Sequence, residues 1–129
     1  MASGLPAATG DILTASTVNG LITFTVGSDQ TADYTAVLTD QYQVLVPMNK
    51  ATAVAFKIPT NASVAFPVGT AITILNKGAG TVTISATTSG TTTVLSSGAV
   101  AASPTLSQYK MAVIIKTATD VWYCSGGIS

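Results

Sequence analysis

The sequence predicts an all-β fold: a single-domain antiparallel β-sandwich or jelly-roll-like barrel with an extended N-terminal arm. Three observations predict it. Apolar and polar residues alternate in short blocks, the period-two signature of strands with one buried face. The breaks between blocks carry Gly, Pro, Asn and Asp, which supply the backbone angles that turns require. Those breaks recur at about the eight-to-twelve-residue spacing of sandwiches and small barrels.

The elements follow in order. Residues 1 to 20 are small, weakly patterned and uncharged apart from Asp11, and read as an arm. Ile22, Phe24 and Val26 alternate with Thr23 and Thr25 as a first strand, so residues 1–28 form arm plus first strand and residues 29–129 the β-sandwich domain. Next come Tyr42, Val44 and Val46 around Gln43, then Val54, Phe56 and Ile58 alternating with Ala55 and Lys57. Pro59-Thr60-Asn61-Ala62-Ser63 and Pro67-Val68-Gly69 mark loops, because proline cannot donate to a central ladder. Ile72 and Ile74 flank Thr73, and Val82 and Ile84 lie between Thr81, Thr83 and Ser85. Between those two blocks, Asn76-Lys77-Gly78-Ala79-Gly80 is short enough to predict a hairpin.

Residues 86 to 105 are low in complexity and predict a long loop with one short strand near Val94-Leu95. Tyr109, Met111, Val113 and Ile115 alternate as a further strand. Thr117-Ala118-Thr119-Asp120 then predicts a hairpin to Val121-Trp122-Tyr123-Cys124. Met111 to Ile115 is apolar, β-branched and free of proline, the pattern of an aggregation-prone window. Lys110 and Lys116 flank it as gatekeepers, which predicts a strand buried in the mature fold. Ala53-Val54-Ala55-Phe56 has a near-echo in Ser63-Val64-Ala65-Phe66, too short to make a repeat.

Composition argues against a reaction centre. The chain has no histidine, glutamate or arginine, and five lysines balance five aspartates to a net charge of zero. Charged residues make up 8%, against about 25% in an ordinary soluble domain. Thr and Ser take their place, giving a near-neutral surface that tolerates being covered by a partner and exerts no long-range field on phosphate or anionic lipid. Scattered lysines do not neutralise a run of phosphates, so nucleic acid is not an expected partner. No run approaches the roughly 20 apolar residues of a membrane-spanning helix. The first residues lack a basic segment and apolar core, so no secretory signal is expected and synthesis and solubility in a cytoplasm are.

The candidate chemistry is thin, and no enzyme activity, cofactor or metal is expected. Ser107-Gln108-Tyr109-Lys110 fits the S-x-x-K pattern of serine acyltransferases. In a strand opening, however, residues three apart point to opposite faces, and the companion patterns are missing. Asp29 and Asp33 form the closest carboxylate pair, which a glycosidase could use, but their polar surroundings predict solvated turn residues. Gly78-Ala79-Gly80 lacks the following helix of a phosphate cradle. Cys124 is the single cysteine; it reads as a small hydrophobe on a terminal strand. Asn61-Ala62-Ser63 fits a glycosylation sequon that would not meet the machinery without a signal peptide. The tyrosines and Trp122 would stack on a sugar if exposed, but Trp122 reads as a core anchor.

Several segments carry a resemblance. They are Ala32-Asp33-Tyr34-Thr35-Ala36-Val37-Leu38, then Pro59 to Thr70 with its central Ser63-Val64-Ala65-Phe66-Pro67-Val68-Gly69-Thr70 string, and Lys77-Gly78-Ala79-Gly80-Thr81-Val82-Thr83-Ile84. Gln108-Tyr109, Ile114-Ile115-Lys116, Thr119-Asp120-Val121-Trp122 and the closing Gly127-Ile128-Ser129 complete the set. Through them the chain from about Thr31 to Ser129 resembles a small β-module of tailed-bacteriophage virion proteins. A free-standing module with an N-terminal arm is most similar to capsid decoration, or cement, proteins.

That resemblance implies a protein made in the host cytoplasm that binds the outer capsid surface of the virion. It implies a homotrimer whose partner is the major capsid protein, and which stabilises the shell by bridging capsid subunits. Leu5, Pro6, Ile12, Leu13 and Val18 of the arm are the expected oligomer or capsid contacts. The alternative is a tail or tail-fibre module binding a host surface glycan.

Overall fold

The computed structural model describes residues 25–96 and 103–129. Among the described residues there are ten strands and one short 3-10 helix. They are β1 (Thr25–Val26), β2 (Tyr34–Thr35), the 3-10 helix (Leu38–Tyr42), β3 (Gln43–Met48), β4 (Val54–Ile58) and β5 (Ala71–Asn76). There follow β6 (Val82–Ala86), β7 (Thr93–Leu95), β8 (Thr105–Leu106), β9 (Met111–Ala118) and β10 (Val121–Gly126). The all-β class holds.

The strands lie in two mixed sheets, a six-stranded sheet in the order β1-β3-β5-β9-β10-β7 and a four-stranded sheet in the order β2-β4-β6-β8. The expected antiparallel pattern is therefore corrected. Pairings β1–β3, β3–β5, β2–β4, β4–β6 and β7–β10 are parallel. The cause is the path of the chain, which crosses from one sheet to the other after almost every strand. Each sheet thus receives every second strand, running the same way as the last.

The crossings are tight arcs stacked on one another. Asn49 N–H donates to Gln30 O, Lys77 N–H to Met48 O and Gly80 N–H to Lys50 O, so residues 27–33, 49–53 and 77–81 form successive layers. The expected hairpin at Asn76–Gly80 is corrected accordingly, since β5 and β6 belong to different sheets and do not pair. A methyl at Gly78 would run into the Lys50 backbone, and one at Gly80 into the Thr52 backbone, so glycine sets the layer spacing. Asn76 is fully buried inside the third arc. Its side-chain amide donates to Gly80 O and Leu106 O, both at 2.8 Å, and its oxygen accepts from Gly78 N–H at 3.0 Å. Those bonds satisfy backbone groups that the arc would otherwise orphan.

A fourth arc, residues 107–110, runs backwards. Tyr109 N–H donates to Asn76 O and Asn76 N–H to Lys110 O. The chain direction has reversed here, and so β8 and β9 are antiparallel to β6 and β5. The β9–β10 hairpin fills the slot between β5 and β7, and its turn is the expected one, with Thr119-Asp120 between Ala118 and its partner Val121. Asp120 sits at φ 55, where Asp is tolerated better than most residues.

One core cluster draws on both sheets: Val54, Phe56, Ile58, Val82, Ile84 and Leu106 from the smaller, and Val46, Met48, Ile72, Ile74, Ala112, Ile114, Val94, Trp122 and Cys124 from the larger. The alternation read in the 54–58, 72–74 and 82–84 blocks faces inward as expected. Trp122 is the expected anchor, packed edge-on to Phe66 with ring centroids 5.5 Å apart. In β9 the faces are reversed. Ala112, Ile114 and Lys116 point inward, while Met111, Val113 and Ile115 lie on the outer face, because the pairings with Ile74, Ile72 and Trp122 fix that register. The near-echo at Ser63–Phe66 is no strand; the structural counterpart of β4 is β6.

Candidate functional site

The outer face of the six-stranded sheet is built from alternate residues of strands whose other face is core. Ladder partners line up across it. Ala71 lies opposite Ile115, Ile115 opposite Tyr123 and Tyr123 opposite Leu95. A second row runs Thr73, Val113, Ser125, and a third runs Pro47, Leu75, Met111. No outward position of β5, β7, β9 or β10 carries a charge. Three large apolar side chains stand well out of it: Met111 at 51%, Ile115 at 39% and Tyr123 at 52% exposure.

The outer face of the four-stranded sheet is different in kind. Thr35, Lys57 and Ser85 form one row and Ala55, Thr83 and Thr105 the other. Lys57 pairs there with Asp33 at 3.7 Å. One face is thus uncharged and largely apolar, with Thr73, Thr93, Thr117 and Ser125 as its hydroxyls, and the other is hydroxylic and charged. A contiguous apolar sheet face on a small domain is the usual mark of an interaction surface.

A second place is polar and internal. Lys116 is 2% exposed, and its Nζ donates to Asn61 Oδ1 and to Phe66 O, each at 2.6 Å. Its backbone is held as well, N–H to Thr70 O and O from Gly69 N–H. Asn61 is placed by its own N–H, which donates to Asp120 Oδ1 at 2.7 Å, and the buried Thr92 hydroxyl donates to the same oxygen at 3.0 Å. Lys116 is no gatekeeper: it ties the loop between β4 and β5 to the β9–β10 hairpin. Its only sequence signal was parity with Ala112 and Ile114, which a solvent-facing reading of lysine hides.

The residues singled out in the sequence are dispersed. Leu5, Pro6, Ile12, Leu13 and Val18 lie outside the described residues. Ser107 and Lys110 belong to a turn, with Lys110 N–H donating to Ser107 O, so the segment does not open a strand; Tyr109 between them has φ 65. Both are exposed.

Asp29 and Asp33 are turn residues that engage separate partners. Asp29 binds Lys77 at 2.9 Å and Asn49 at 2.9 Å, which link three successive arcs and hold its carboxyl below the usual range. Asp33 accepts from Ala55 N–H, the main cause of its lowered value. Tyr42, Tyr109 and Tyr123 are exposed but lie on separate elements, while Trp122 is inside. Cys124 is buried on β10, the last strand, and burial pushes its thiol up to about 11. Among the described residues no three His, Cys, Asp or Glu side chains gather as a metal site, and no helix is long and apolar enough to cross a membrane.

Comparison with known proteins adds no relative: no family model matches the chain, no curated protein matches it, and no solved structure matches it.

Proposed function

We propose that this chain is a non-enzymatic bacteriophage capsid decoration (cement) protein whose six-stranded sheet presents its apolar outer face to a partner. The single observation carrying this reading is the contrast between the two outer faces. An uncharged face with Met111, Ile115 and Tyr123 standing out loses little on desolvation and gains on burial, whereas the face with Lys57 and Asp33 is better left in water. In this reading the two sheets are the covers of a sandwich lying on the outer shell of the virion. The partner is the major capsid protein, and three copies around a symmetry axis bridge neighbouring subunits. Binding only the closed shell stabilises it by mass action, and linked contacts make each modest one effective.

The test is co-sedimentation with purified capsids. Wild type is expected to pellet with them and to raise the temperature at which they open. The pair Ile115→Lys and Tyr123→Lys is expected to remain folded and stay in the supernatant, while Thr83→Lys on the opposite sheet still pellets. Retained binding by the double variant contradicts the assignment of the face. The adhesion alternative calls for aromatic rings on one platform. Tyr123 is the one aromatic residue among the outward positions of β5, β7, β9 and β10, so docking is the better supported reading; a hit on a glycan array with no capsid binding reverses that order.

A further inference from the structure

Lys116 is the one nucleophilic amine of the described residues that is shut away from water, and its neighbours do not pair it with a carboxylate. Its Nζ lies 2.6 Å from the side-chain oxygen of Asn61, on a segment 55 residues away in the chain, and the Phe66 carbonyl fixes it from another side. Asn61 in turn is fixed by the carboxylate of Asp120 on its backbone N–H. An amine, a carboxamide and a carboxyl group are thus gathered where Phe66 meets Trp122 edge-on.

We propose that Lys116 and Asn61 join in an intramolecular isopeptide bond. The Nζ lone pair attacks Cγ of Asn61, a new Nζ–Cγ bond forms, the Cγ–Nδ2 bond breaks, and ammonia leaves. A proton passes from the amine to the departing nitrogen. The step is a transamidation: nothing is oxidised or reduced, and no co-reactant is required. Hydrogen bonding that holds the amine against one amide turns a very slow bimolecular reaction into a local one, and burial of Lys116 keeps the amine from other acceptors. The product is a covalent tie between the β4–β5 loop and β9, across a long stretch of chain, which restricts the unfolded state as a disulfide does. This inference is independent of capsid binding.

Intact-mass measurement on the purified full chain tests it. The folded protein is expected to be one ammonia lighter than its sequence, and digestion is expected to yield a branched peptide joining Lys116 to Asn61. Asn61→Ala and Lys116→Met are each expected to show full mass; Lys116→Met also removes the buried donor, so it stays folded if Asn61→Ala does not. Full sequence mass for the wild type after prolonged incubation overturns the proposal. So does a deficit that persists in Asn61→Ala, which would trace to succinimide formation at Asn19-Gly20.

Discussion

Cys124 packs beside Ile114 on the inner face of β10, and desolvation raises its thiol from an ordinary 9.0 to about 11. A raised value means that the protonated form is the one the fold favours. The stabilisation is therefore complete below pH 9 and is lost as pH rises through about 11. Denaturant unfolding at a series of pH values is expected to show this decline, and Cys124→Ala to make it shallower, the rest coming from Tyr34, whose hydroxyl burial also pushes up. A thiol reagent at pH 8 is expected to label the unfolded chain and spare the native one.

Asn76 is a sharper case, because one side chain serves three backbone groups, two in the arc and one on β8. Asn76→Ala leaves them buried without partners, at a cost of about 3 kcal/mol or more in urea unfolding. Neither role is written in the residue type. A cysteine before the C-terminus reads as buried, and so it is; an asparagine before Lys-Gly reads as a turn residue, and its interior position follows only from the arcs stacked around it.

At the scale of elements, the arcs decide the register. Gly80 faces the Thr52 backbone of the layer beneath, and a β-carbon there forces the layers apart. Gly80→Ala is expected to lower stability by about 1–3 kcal/mol, as overpacking does. Gly90, at φ 88 with open space around it, is the control for conformational cost alone. A calorimetric comparison of the two variants separates crowding from backbone strain, and equal losses would argue against layer stacking.

The strands themselves were legible wherever one parity was apolar and the other was not, as in Val54–Ile58 and Val82–Ala86. They were half-legible in Met111–Ala118. Both parities there are apolar as far as Ile115, so alternation does not choose a face, and a one-residue slip inverts every side chain. β2 and β8, two residues each, are too short to show a period at all. The stretch Asn76–Gly80 was read correctly as a break between two strands and wrongly as a hairpin. Its partner strand was misread, since a Gly-rich link looks the same whether the strands it joins pair side by side or face each other across a core.

For the whole molecule the informative quantity is the difference between two surfaces. Zero net charge removes long-range repulsion between copies that must sit side by side, while the rows through Ile115 and Tyr123 are left for the shell. Analytical ultracentrifugation is expected to find a trimer for the wild type and for Ile115→Lys alike, because that face is turned to the shell and not to the other copies. A wild type that sediments as a monomer at every concentration removes the trimer from the proposed function while leaving the fold intact.

The sequence by itself determined the all-β class, most strand positions, the β9–β10 hairpin, the anchoring of Trp122 and the burial of Cys124, because local alternation and turn chemistry act within a few residues. Only the tertiary structure decided that most pairings are parallel, that Lys116 lies inside against Asn61, and which face of the larger sheet is left apolar and open. Those properties depend on which strand lies beside which. Sheet partners here come from distant parts of the chain, and no local period encodes them.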